Sequence, residues 1–193
     1  TMLMLFVKLK FIAERDHDIA KLIDLMNERS MVYSAFDSGT NPAVNIAEHL
    51  HGKIPIIYSS NDLLDIVNLR WRGQFAENSK TLAFGNYFPE LNHNEIVGWQ
   101  ENSDFLRNFA LIYLLDREDN PRILKRQKIT KDILEPYRGI DIEIESEGNS
   151  KLERIFDLVY LGDWISFYLA VINKTDPSPI EKINILKNKL MES

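Results

Sequence analysis

Apolar and polar positions follow one another in blocks along this chain, and the period changes from block to block. Leu3 to Ile12 and Asp18 to Glu28 have helical spacing, with Ile19, Leu22, Ile23 and Met26 on one face of the second stretch. Asp16-His17-Asp18 offers a cap at its start. Asp37 to Asn41 is a run of turn formers. Pro42 stands where a first-turn proline belongs, and the pattern predicts a helix over Ala43 to His51 that ends at Gly52. Ile54-Pro55-Ile56-Ile57-Tyr58 is short and β-branched, which predicts a buried parallel strand. Ser59-Ser60-Asn61-Asp62 offers caps for a helix over Leu63 to Gln74.

The second half continues in the same way. Thr81 to Phe84 predicts a weaker strand, and Asn94 to Trp99 a short helix. Phe109 to Leu115 is the clearest strand, and Pro121 opens a helix through Leu134. Ile140 to Glu145 alternates strictly, as a half-exposed strand does. Lys151 to Ile172 predicts a long aromatic-rich helix, and Pro179 opens the last one, Ile180 to Met191. Strands alternating with helices predict an α/β fold: a doubly wound three-layer sandwich on a mainly parallel sheet, with extra helices at both ends of the chain. Such sheets take ligands beyond the carboxyl ends of their strands, near the topological switch point.

Composition removes several chemistries. The 193 residues include no cysteine, so disulfides, thiolate nucleophiles and cysteine-ligated metals are excluded. Lys and Arg number 23 against 29 Asp and Glu, a net charge of −6, which argues against a nucleic-acid partner. The basic run from Arg122 to Lys131 is then a solvated helix face. The apolar opening Met2 to Val7 is too short to span a membrane and lacks a small-residue cleavage site. The expectation is a cytoplasmic protein without a membrane partner.

No Gly-rich phosphate loop, metalloprotease helix or nucleophile elbow is present. His49 and His51 stand two apart, a spacing that does not face two side chains together on a helix, so no metal site is expected there. The dense segment lies elsewhere. It runs Arg70-Trp71-Arg72-Gly73-Gln74-Phe75-Ala76-Glu77-Asn78-Ser79-Lys80 and resumes at Pro89-Glu90-Leu91-Asn92-His93-Asn94-Glu95-Ile96-Val97-Gly98. A carboxylate and an imidazole form an acid/base pair near neutral pH. On residue types alone, Glu77 stays open between that role and a surface carboxylate, and His93 between that role and a helix cap.

These two segments, with Leu161-Gly162-Asp163-Trp164 and Asp176-Pro177-Ser178-Pro179 in the same order, resemble the bacterial and archaeal bifunctional phosphoglucose/phosphomannose isomerases of the sugar isomerase (SIS) superfamily. The resemblance covers nearly the whole chain, as the C-terminal part of that family's protein. It implies a flavodoxin-like SIS fold and aldose–ketose isomerisation of a 6-phosphosugar, glucose or mannose 6-phosphate to fructose 6-phosphate, without metal or cofactor. It implies that Glu77 moves a proton between C1 and C2 through a cis-enediol, and that His93 opens the sugar ring from the partner subunit of a homodimer. A lysine of the last helix joins the site, with Lys187 the best match and Lys182 a rival. Arg72, Asn78, Ser59 and Ser60 are the expected substrate-binding residues.

The chain departs from the family at two places. The family's first SIS domain, whose serines and threonines hold the phosphate, is not in this chain, and Ser59-Ser60-Asn61 stands where many relatives have a Gly-rich turn. The abrupt apolar start at Thr1-Met2-Leu3 fits a cut in the region joining the halves. Residues 1–48 are then expected as a helical joining segment and 49–193 as the C-terminal SIS domain. The alternative reading is a non-catalytic module that binds a sugar phosphate or only dimerises. The aromatics from Phe156 to Tyr168 are expected in the core or a dimer interface.

Overall fold

A run of apolar side chains buried on both faces requires a central strand with layers on either side. The strand β1 (Ile54–Ser60) has that character, with every residue after Ile54 buried. In the computed structural model, which describes residues 2–100 and 103–192, β1 lies between β2 (Phe84–Phe88) and β3 (Phe109–Leu115), with β4 (Ile140–Glu145) beyond β3. All pairings are parallel, with Tyr58 opposite Tyr113, Ser60 opposite Phe88, and Leu115 opposite Glu145. The order β2-β1-β3-β4 places the switch point between β1 and β3.

Helices cover both faces. On one lie α2 (Asp16–Tyr33), α3 (Pro42–Leu50), α4 (Asp65–Glu77) and α8 (Lys151–Ile172). Their Val44, Trp71, Phe75, Leu158 and Ile165 bury against Ile57, Ala110, Ile112 and Leu114 of the sheet. The other face presents Ile56, Tyr58, Leu111 and Tyr113. It is covered by a 3-10 turn (Glu90–Asn92), α5 (Glu95–Gly98), α6 (Ser103–Leu106) and α7 (Pro121–Leu134). The doubly wound three-layer sandwich is therefore as expected, with α1 (Met2–Lys8) and α9 (Glu181–Met191) at the two ends. Thr1 lies outside the described residues. The expected boundary after residue 48 falls inside α3, whose Ala43, Val44, Ala47 and Leu50 belong to the core.

Local chemistry sets several helix limits. Asn41 accepts from the Ala43 N–H at 2.9 Å ahead of Pro42, and Asn120 accepts from the Arg122 N–H at 2.9 Å ahead of Pro121. Ser150 and Glu153 form a capping box at the start of α8. This helix is long and apolar enough to cross a membrane by length and composition, but half of its apolar window is buried among α2, α3 and α4.

Three elements differ from expectation. The second strand is Phe84–Phe88, not Thr81 to Phe84. Its Gly85 and Asn86 break the apolar pattern because Asn68 reaches across: a Cβ at position 85 would collide with the Asn68 side chain and the Ile57 carbonyl. The helix α4 starts at Asp65 without a side-chain cap, so the Ser59-Ser60-Asn61-Asp62 run ends a strand instead of capping a helix. At the start of α2, Arg15 holds the cap position, and Asp16 and Asp18 sit in the first turn, where they suit the helix dipole.

Candidate functional site

The helix α4 buries Val67, Asn68, Trp71 and Phe75 toward the sheet and turns a polar stripe toward α8. Arg70 Nη2 donates to Asp163 Oδ2 at 2.8 Å, and Gln74 Nε2 donates to Asp163 Oδ1 at 2.8 Å. Asn78 Nδ2 donates to Ser166 Oγ at 2.8 Å, and that hydroxyl donates to the Asp163 carbonyl at 2.8 Å. Glu77, the last residue of α4, is exposed beyond this stripe.

Glu77 lines two adjoining hollows. One is shared with Leu69, Arg70 and Gln74 of α4 and with Val159, Tyr160 and Asp163 of α8. The other has a volume of about 570 Å³, within the range of small-molecule sites, and brings Lys80 and Lys182 to the same wall system. Lys80 has a left-handed backbone (φ 55°) and donates to the carbonyls of Glu77 and, at 3.1 Å, Pro177. It thereby caps the helix end that carries the carboxylate. Of the two lysines considered in the last helix, Lys182 lines the Glu77 hollow, while Lys187 lies further along α9.

His93 is elsewhere. It is exposed and closes the 3-10 turn, with its backbone N–H donating to the Glu90 carbonyl at 2.9 Å. Its neighbours in sequence anchor it. Asn92 donates to Thr130 Oγ1 at 2.7 Å, and Asn94 caps the Glu95 N–H at 2.6 Å. The Glu95 carboxylate accepts from Asn86 Nδ2 at 2.7 Å and from the Tyr58 hydroxyl. Burial and that carboxylate push the Tyr58 phenol far above its usual range. The segment with His93 packs on one face of the sheet, through Leu91, and α4, which ends at Glu77, on the other.

The remaining expected residues do not line the Glu77 hollows. Arg72 donates to the Tyr87 hydroxyl of β2 at 3.0 Å. Asn78 is committed to Ser166. Ser59 and Ser60 are buried at the end of β1, and the Ser59 hydroxyl accepts from Asn68 at 3.2 Å. Their surroundings are acidic, with Asp116 and Asp62 near the Asp119 carboxyl. Burial raises the Asp119 carboxyl beside Ser60, and Arg154, itself 1 % exposed, is engaged by Asp116 and Glu118. An anion entering there would meet carboxylates around a guanidinium that they already neutralise. Among the described residues no group of three or more His, Asp or Glu side chains is arranged to hold a metal. Residue types alone missed Lys80 and Asp163, although both lie in motifs that the sequence displays.

The parallel order and the two helical layers define a doubly wound α/β domain. Residues 39–190 match the family described as the bacterial phospho-glucose isomerase C-terminal SIS domain, and the chain belongs to that family. It is 42 % identical over 192 residues to a bifunctional phosphoglucose/phosphomannose isomerase of Caldicellulosiruptor bescii, covering 99 % of this chain and 57 % of the relative. It is 32 % identical over 183 residues to the enzyme of the same name from Thermoplasma acidophilum, covering 93 % of this chain and 54 % of the relative. The chain thus spans a little over half the length of these curated relatives. The fold is also that of a glucose-6-phosphate isomerase-like protein of Thermus thermophilus, with a TM-score of 0.69 at 21 % identity over 84 % of this chain and 53 % of the other.

Proposed function

We propose that this chain provides the base of an aldose–ketose isomerase acting on 6-phosphosugars, interconverting glucose or mannose 6-phosphate with fructose 6-phosphate. The observation that carries this reading is Glu77: an exposed carboxylate at the end of a clamped helix, facing a hollow of ligand size with a lysine across it. In the open-chain aldose, Glu77 takes the proton from C2 as the carbonyl oxygen at C1 gains one, giving the cis-enediol. It returns the proton to C1 as the C2 hydroxyl loses its own, giving the ketose. A lysine of α9, with Lys182 favoured by its place in the hollow, balances charge that develops on the enediol oxygens.

Ring opening precedes this step. His93 donates a proton to the ring oxygen while the anomeric hydroxyl gives one up, and it acts from a second subunit. The packing of α4 and of the His93 segment on opposite faces of the sheet supports that division, as does the exposure of His93. The substrate phosphate is held outside this chain's own switch point, where the serines are buried and Arg154 is already neutralised by its carboxylates. Arg72, Asn78, Ser59 and Ser60 then support the site's framework.

Turnover of fructose 6-phosphate by the complete polypeptide tests the assignment. Replacing a general base lowers the rate by roughly 10²–10⁴-fold, so Glu77→Gln is expected to lose activity on that scale while retaining its fold. An unchanged rate removes Glu77 from the role. The second reading, a non-catalytic sugar-phosphate module, rests on the buried serines and the carboxylates beside them at the end of β1. Calorimetric binding of glucose 6-phosphate without turnover by the complete polypeptide decides in its favour.

A further inference from the structure

The proton transfer leaves Leu161-Gly162-Asp163-Trp164 without a task, yet this run meets α4 more closely than any chemistry so far requires. We propose that Asp163 is a positioning residue for Glu77: it sets the rotation and the end point of the helix that presents the carboxylate. The inference rests on the reading of Glu77 as the base.

Asp163 reaches two positions on α4 directly and, through Ser166, the residue that follows the helix. Its two carboxylate oxygens accept from Arg70 and Gln74, each at 2.8 Å, and its carbonyl accepts from the Ser166 hydroxyl that in turn holds Asn78. Positions 70, 74 and 78 are four apart, so they form one stripe along the helix. Glu77 is three residues after Gln74 and immediately before Asn78. A helix held at both of those positions cannot twist Glu77 away from the hollow without breaking a bond to Asp163 or to its neighbour Ser166.

The spacing between the helices is fixed separately. Trp71 donates from its indole to the Leu158 carbonyl at 2.8 Å and rests over Gly162. Trp71 therefore sets how near the helices lie, and Asp163 sets how α4 is turned. The N-terminal end of α4 has no side-chain cap to share that work. Asp163 is half-exposed and lines the same hollow as Glu77, Arg70 and Gln74, so its hold can be separated from the buried core.

The test is steady-state isomerisation of fructose 6-phosphate by the complete polypeptide, with Glu77→Gln measured first. Misplacement of a catalytic group by about 1 Å costs on the order of 10²-fold. Asp163→Ala is expected to lower kcat by roughly 10- to 100-fold with KM within about twofold, and Asp163→Asn, which keeps one acceptor, to fall between it and the natural protein. In an Arg70→Met/Gln74→Leu background, Asp163→Ala is expected to add little, because its partners are already gone.

Three results overturn the inference: an unchanged kcat in Asp163→Ala; a loss explained wholly by the unfolded fraction seen in thermal melts; or a full further loss in the double-variant background, which makes Asp163 act on substrate directly. If Glu77→Gln keeps the natural rate, the reading of Glu77 fails by itself. If Glu77→Gln is inactive and Asp163→Ala is unaffected, only the positioning role fails.

Discussion

The indole of Trp71 occupies the space that a side chain on Gly162 would need. A Cβ built at position 162 would collide with the indole nitrogen and two ring carbons, while that nitrogen donates to the Leu158 carbonyl at 2.8 Å in a buried setting. Gly162 sits in the middle of α8, where its helix propensity is poor, so its presence there is explained by this close approach. The same contact brings α4 within reach of Asp163 and so shapes the neighbourhood of Glu77.

Gly162→Ala puts two effects in opposition. Alanine gains about 1 kcal/mol in a helix interior relative to glycine. Overpacking costs about 1–3 kcal/mol, and stranding the buried indole N–H costs about 1–3 kcal/mol more. The second pair wins. The variant is expected to be destabilised by about 1 kcal/mol or more, read as a lower urea midpoint with a shifted tryptophan emission. An equal or higher midpoint shows that α8 moves away from α4 at no cost.

Arg154 supplies a larger effect. It and Asp116 are each 1 % exposed and joined at 2.9 Å, whereas its other partner, Glu118, is about half exposed. Arg154→Met leaves the Asp116 carboxylate buried without a counter-charge, a loss of about 3–5 kcal/mol. The exposed Glu118 contact contributes little of that. Adding Asp116→Leu removes the orphaned charge, so the double variant is expected to recover part of the stability. Chemical denaturation of both variants measures this, and a double variant no more stable than Arg154→Met refutes the burial argument.

Much of this arrangement was legible in the residues. Pro121 and the turn before it marked α7, and the apolar run from Phe109 marked β3, because local signals and tertiary burial agree there. The strand β2 was displaced because Gly85 and Asn86 answer to Asn68, which lies far from them in the sequence pattern and close in space. Glu77 and His93 stood out as motif residues, but the face of the sheet each occupies depends on how the chain winds around β2. Ser59 and Ser60 looked like ligand groups at a strand end. Their burial beneath the Asp116–Arg154 region is a tertiary property that no spacing encodes. Asp163 was visible as part of a motif, while its hold on Arg70 and Gln74 of α4 needed the packing of two helices.

The acid limb of stability has a local contributor in Glu153. Burial opposes its ionisation, but the Ser150 hydroxyl and the N–H groups of Ser150 and Asn149 outweigh that, so its carboxyl sits below the ordinary value of 4.5. A carboxyl lowered in the folded state stabilises the fold above its unfolded value, and that contribution fades as pH drops through the folded value. Glu153→Gln keeps the acceptor of the capping box and loses only the charge, so it is expected to cost about 0.3–1 kcal/mol near neutral pH, the range for an anion at a helix N-terminus. The gap from the natural protein narrows as the pH falls below 4.5. Urea unfolding at about pH 7 and about pH 3.5 checks it, and a gap that widens in acid gives the opposite sign.

A site shared between subunits makes a prediction that no single-chain site makes. The helix that ends at Glu77 and the segment that carries His93 pack on opposite faces of the sheet, and under the proposed function each active centre would take its base from one subunit and its ring-opening imidazole from the other. Glu77→Gln and His93→Asn versions of the complete polypeptide are each expected to be strongly impaired on cyclic substrate. Co-expressed, they pair at random, and about half of the dimers are mixed. Every mixed dimer holds one centre with both changes and one with neither, so activity is expected to return to about a quarter of the natural level. An imidazole acting within its own chain predicts no recovery, since no chain in the mixture then carries both groups. Rates normalised to protein, with the mixed dimer isolated through a tag on one variant, separate the two arrangements.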